Sequence, residues 1–229
     1  MTALQPDPAE GLRMYDELLA VHTILRRGSE LIAQSLKVLA DDGPVDVRAL
    51  VSVARWHNGF LHHHHRSEDA QFWPLLRRLF PGSADDLTRL TQEHEELDAN
   101  LTALSEAIGA LGAARTPAER RAAVQVAATT GYPKAVVCRD ALGEHLDDEE
   151  PVLRALFPQV SAAEIRTLRA AIVAAAPKSG PDLVLGLLSD PTPAPGYDAI
   201  VANFPPPVRW LRPVLLRRYH ARRKALGVA

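Results

Sequence analysis

The sequence predicts an all-α protein: an up-down-up-down four-helix bundle with a C-terminal helical appendage. Three observations carry that expectation. Apolar residues recur at three- and four-residue spacing over long stretches, capping residues and Pro-Gly breaks divide those stretches into four, and no segment alternates at the period of a strand. Apolar residues are 47% of the 229 and lean on Ala, Leu and Val, while aromatics are only 5%. That balance suits helices better than a β-sandwich.

The first helix follows a polar arm. Leu12, Tyr15, Leu18, Leu19, His22, Leu25, Leu31, Ile32 and Leu36 form its stripe, and Asp41-Asp42-Gly43-Pro44 ends it near Ala40. Asp46 is an acceptable N-cap for a second helix, which runs to about Leu79 before Pro81-Gly82 and is kinked or divided by Pro74. A third helix covers about Ala84 to Leu111. Thr116-Pro117-Ala118-Glu119 reads as a capping box with Pro at the first helical position. The fourth helix therefore starts near Pro117, is interrupted around Gly131-Tyr132-Pro133, and resumes to about Leu156. Ser161-Ala162-Ala163-Glu164 repeats the capping pattern and opens a shorter fifth helix that ends before Pro177. Short connections between long helices make neighbours antiparallel, giving a bundle over residues 10–160 and an extension over 161–229 packed on it.

Several classes of function are set aside by composition. A net charge of −2 is not that of a nucleic-acid binder, so no nucleic-acid partner is expected. Cys138 is the only cysteine, so neither an intrachain disulfide nor a thiolate metal site can form; a buried, inert thiol is expected there. No run of about 18 apolar residues exists to span a membrane. The first twelve residues lack the basic and apolar regions of a secretion signal. A cytoplasmic protein is the expectation.

The chemistry-bearing residues then fall into a pattern. His62 to His65 are four consecutive histidines inside the second helix, and successive helical residues lie about 100° apart, so they cannot all face one way. His64 and Glu68, four apart, share a face. The first helix offers His22 on its apolar stripe, the third offers His94 with Asp98 one turn later, and the fourth offers His145 with Glu149. Each piece has an ordinary explanation. A lone His22 is more often a packed core histidine than a ligand. His64 and Glu68 alone are compatible with a solvated pair, and His94 and His145 sit in acidic runs that resemble surface. Coincidence carries the metal reading: every bundle helix has one suitable histidine near its middle, and burying so many unpaired polar groups is unfavourable. Four imidazoles and two carboxylates suit a pair of first-row metals, with carboxylates able to bridge. Iron is expected first, manganese or mixed occupancy next, and zinc less.

This set resembles the hemerythrin family, specifically bacterial hemerythrin-like HHE domains. The resemblance rests on His22, on His64-His65-x-x-Glu68-Asp69 with Phe72-Trp73-Pro74-Leu75-Leu76, on Glu93-His94, and on His145-Leu146-x-x-Glu149-Glu150, over roughly residues 14–158. It implies a bundle holding two non-haem iron ions that meet dioxygen, hydrogen peroxide or nitric oxide. His22, His64, His94 and His145 would be terminal ligands, with Glu68 and Glu149 bridging. Two departures stand out. Where oxygen carriers have a further histidine one turn after His94, this chain has Asp98, which either ligates or leaves an open position. Where they space the last acid one residue further, this chain has Glu150. An open site favours reaction with oxygen or peroxide over reversible carriage.

The remaining expectations are these. His57 lies two turns before His64 and is a candidate for the surroundings of the site or an access route. His65 is a candidate substitute ligand, while His62 and His63 point elsewhere or bond to acids. Tyr15 and Trp56 fill the core. For the basic tail, with Trp210, Leu211, Val214, Leu215 and Tyr219 among its arginines, three readings stand: an anionic membrane, nucleic acid, and, preferred, a cover for a bundle face with arginines solvated or paired to the acidic third and fourth helices. The function expected is a di-iron protein that reacts with dioxygen or peroxide, catalase-like or as an oxidase of a small-molecule substrate. The alternative is oxygen, nitric oxide or iron sensing without turnover, and storage comes third.

Overall fold

The computed structural model describes residues 6–228. Residues 1–5, part of the segment read as lacking a leader signature, and residue 229 lie outside the described residues.

Helix α1 spans Pro8–Ala40, with Asp7 as N-cap accepting from the Ala9 and Glu10 N–H groups. Helix α2 covers Val47–Ser67, capped by the expected Asp46. It passes through a π-helical turn, Glu68–Phe72, into α3, Trp73–Leu79. Helix α4 is Ala84–Ala113 and α5 is Pro117–Val126. Thr116 and Glu119 form the reciprocal capping box read from the sequence. A second π-helical turn, Ala127–Gly131, leads into α6, Tyr132–Leu156. The break expected at Pro74 falls one turn earlier, and the physical reason is the same at both sites. A helical proline has no N–H to donate and crowds the carbonyl four residues back. In the widened turn the Trp73 N–H reaches the Glu68 carbonyl, and the Tyr132 N–H reaches that of Ala127, five residues back. The extra residue leaves room for Pro74 and Pro133 without ending either helix.

Helix α1 packs on α2 and α6, and α4 packs on the same two, which closes an antiparallel four-helix bundle. Its interior divides into two apolar clusters. One holds Ile24, Leu25, Leu61, Leu97 and Leu142. The other holds Leu18, Phe72, Trp73, Leu90 and Leu153. His22, His64, His94 and His145 lie along their helices at the junction between the two clusters, so the polar layer is walled by hydrocarbon on both sides.

After α6, helix α7 (Ala162–Ala175) packs on α1. At its start Ser161 accepts from the Glu164 N–H, but the Glu164 carboxylate takes the Ser161 hydroxyl and Arg78 rather than the backbone of Ser161. Helices α8 (Pro181–Ser189), α9 (Tyr197–Ala202), α10 (Pro206–Trp210) and α11 (Arg212–Ala225) follow. Leu183, Val184, Leu187, Tyr219 and Leu226 join the first cluster, so this extension and the bundle share one core. The preferred pairing of the tail arginines is corrected. Helix α11 packs chiefly on α8; Arg218, Arg222 and Arg223 bond Asp182 and Asp190 of the extension instead of acids on the third and fourth helices, while Arg212 and Arg217 are solvated as the other half of that expectation has it. No helix among the described residues is long and apolar enough to cross a membrane.

Candidate metal centre

Two groups of donor atoms meet at the junction of the clusters. His65, His94 and His145 form one; His22, His64, Glu68 and Glu149 form the other, and within each group the atoms lie within 4.8 Å of one another. The carboxylates join the groups. Glu68 sets one oxygen 3.1 Å from His64 Nε2 and the other 3.5 Å from His94 Nε2. One oxygen of Glu149 stands 3.6 Å from His22 Nε2 and 3.5 Å from His145 Nε2. All seven residues are buried.

Four of the five imidazoles turn Nε2 inward, with a carboxylate at Nδ1. Glu150 takes His22 Nδ1 at 3.0 Å, Asp98 takes His65 at 3.1 Å, Asp69 takes His94 at 3.2 Å, and Glu93 takes His145 at 2.8 Å. A carboxylate at Nδ1 keeps the hydrogen there and turns the Nε2 lone pair inward, which orients an imidazole for metal binding. Arg26 bonds Glu150 and Asp147, extending the His22 chain outward to the surface.

Electrostatics keep most of these imidazoles neutral. Burial, and then the neighbouring imidazoles His65 and His145, push His94 down to about 2. Burial likewise holds His64 well below its ordinary value and lowers His65 despite Asp98. His145 goes the other way: burial works against its charge, but Glu149 and Glu93 outweigh it and raise the value. Burial, and then the Glu149 charge beside it, push Glu68 well above the usual carboxylate range. Burial alone would raise Glu149 too, yet His22 and His145 hold it below. The opposed shifts of Glu68 and Glu149 are the pattern of like charges crowded into one dry site.

The sequence-derived candidates sort clearly. His22, His64, Glu68, His94, His145 and Glu149 come together, and His65, expected only as a substitute, joins them. Asp98 stands outside the donor groups, bonding His65 and His62, whose imidazoles hold its carboxyl low against the effect of burial. Glu150 likewise supports His22 instead of entering. His57 is buried away from the donors, bonding the Leu25 carbonyl at 3.0 Å. His63 bonds Ser67, and Trp56 stacks on Phe60. Cys138 is buried, and burial raises its thiol to about 11, in keeping with an inert side chain. Sequence reasoning missed Glu93 and Asp69 as supports. The visible signal was an acid beside a candidate histidine in one case and beside Glu68 in the other, but it looks the same as solvated helix surface.

The donor set fits a metal. His22 Nε2, His64 Nε2, His65 Nε2 and all four oxygens of Glu68 and Glu149 are buried with no hydrogen-bond partner. Leaving so many polar atoms dry and unpaired is strongly unfavourable unless a cation takes their lone pairs. A mixture of neutral imidazole and carboxylate suits first-row transition metals. The sequence model of the hemerythrin HHE cation binding domain matches residues 13–160. Comparison with curated proteins and with solved structures gives no match.

Proposed function

The chain belongs to the hemerythrin HHE cation-binding domain family, and from that premise we propose that it is a non-haem di-iron protein that reacts with dioxygen or hydrogen peroxide. The observation that carries the reading is the inequality of the two donor groups. One offers three imidazoles and the other two, with both carboxylates between them. That division supports two ions, the one beside His22 and His64 held by fewer imidazoles, which would leave a position for a small oxidant. His65 supplies the fifth imidazole that Asp98 does not. Manganese or a mixed pair is the next choice for the same donors.

Redox-active ions held here would supply the electrons that reduce dioxygen or peroxide. The protein's part is definite. Glu68 and Glu149 balance the cationic charge, the four outer carboxylates hold the imidazoles in one tautomer, and the flanking apolar clusters exclude bulk water. Burial favours the protonated form of Glu68, so a bound cation would compete with that proton and metal affinity should weaken as pH falls. Sensing of oxygen, nitric oxide or iron without turnover is the second reading. It is favoured by the chain from His22 through Glu150 to Arg26 and Asp147, which links a donor to an exposed ion pair across α1 and α6.

Metal analysis with an optical spectrum and peroxide turnover tests the proposal. About two ions per chain are expected, with peroxide consumption abolished by Glu68→Ala or His145→Ala. A stable gas adduct with no turnover would move the assignment to sensing. Metal content well short of that, unchanged by His94→Ala, would sink the site itself.

A further inference from the structure

Helices α10 and α11 meet at an elbow that leaves apolar side chains in solvent. Trp210 is 79% exposed, Leu211 52% and Val214 55%. The other large exposed apolar residues, Leu12, Val126, Val137 and Val173, are scattered singly over other helices, as is ordinary for a soluble surface. Here three fall within five residues.

The charge around them is one-sided. No carboxylate side chain follows Asp198. Asp182 takes Arg218 and Arg222, and Asp190 takes Arg223. Arg209, Arg212, Arg217 and Lys224 have no carboxylate partner among the described residues, and the Arg212 guanidinium rests over the Tyr197 ring at 5.4 Å. Along α11, Val214, Arg217, Ala221 and Lys224 follow three- and four-residue spacing on the face opposite the buried Tyr219, so one outward face runs from apolar to basic. Pro206 and Pro207 open α10 and Pro213 opens α11; with their φ fixed, little backbone freedom is left to lose on docking.

We propose that this elbow docks the protein on the surface of an anionic lipid bilayer, with Trp210, Leu211 and Val214 at the depth of the headgroups and the unpaired cations on lipid phosphates. An amphipathic, basic, Trp-bearing helix end has the chemistry of an interfacial anchor. A second copy is a poor occupant, because a two-fold contact through the elbow would set the same uncompensated arginines against each other.

The test uses the metal-loaded full chain with vesicles of phosphatidylglycerol and phosphatidylcholine, against phosphatidylcholine alone. Trp73 is fully buried and Trp56 is stacked on Phe60, so among the three tryptophans Trp210 is the one positioned to report contact. Expected are co-sedimentation with the anionic vesicles, a blue shift of tryptophan emission, and weakening by salt. Trp210→Ala should weaken partition by roughly tenfold. The double variant Arg209→Gln, Arg217→Gln should weaken it by roughly fivefold per charge removed. These side chains are exposed, so helicity and metal content should stay unchanged in both variants. The proposal is overturned by equal binding to neutral vesicles, by partition indifferent to both variants, by a vesicle-free dimer that Trp210→Ala dissociates, or by duplex DNA displacing the vesicles.

Discussion

His64 and His65 are neighbours in the chain yet serve different partners. The His64 ring lies 5.2 Å from that of His22 on α1, and the His65 ring stacks 4.1 Å from that of His94 on α4. Helix α2 packs between those two helices, so residues about 100° apart straddle the direction of the bundle axis and both point inward. That geometry leaves Asp98 to support His65 from outside. Two outcomes follow. On the proposed two-ion reading, His65→Ala should lower metal content, while Asp98→Asn should keep it but weaken affinity by about 10- to 100-fold. A chelator titration distinguishes them; equal loss in both variants would remove the distinction between ligand and support.

At the scale of elements, close approach is set by single small residues. A Cβ on Gly28 of α1 would come 2.2 Å from Cδ2 of His57, a ring fixed by its bond to the Leu25 carbonyl. Gly28→Ala should therefore destabilise the protein by about 1–3 kcal/mol, as overpacking does. Gly59 on α2 has nothing within 4 Å of the same added atom. Gly59→Ala should stabilise by up to about 1 kcal/mol, the helix propensity it recovers. Denaturant unfolding of the two variants should give opposite signs, and a neutral Gly28→Ala would mean that the α1–α2 contact yields easily. The π-helical turn at Glu68–Phe72 belongs to this scale too. It begins at a donor carboxylate and ends ahead of Pro74, so the same widening that accommodates the proline fixes where Glu68 leaves the helix.

The whole molecule carries its polar layer at an energetic disadvantage until a cation arrives, and pH reads that out. His57, His64, His65 and His94 have folded-state values below the ordinary 6.5, so the unfolded chain binds protons first as pH falls below that value, and stability falls with it. Glu68, raised above 4.5, acts oppositely between 4.5 and its folded value, and the raised His145 favours the folded state at low pH. Four imidazoles outnumber these two, so the midpoint temperature of chelator-treated protein should drop from about pH 7 to about pH 5.5. Metal-loaded protein should melt higher throughout, by mass action. A midpoint flat across that range would contradict the buried neutral imidazoles. Much of this architecture is legible in the chain, because it is local. Asp46 and Thr116 mark helix starts, Pro74 and Pro133 mark interruptions, and the spacing of His64 to Glu68 and of His145 to Glu149 assigns donors to one face. What only the tertiary structure decided is pairing at long range: His65 against His94, Asp98 and Glu93 behind their imidazoles, Arg222 on Asp182. Helical periodicity states which face a residue shares, but the rotation of that face toward a particular neighbour is set by the packing of all the helices together, and no local spacing encodes it.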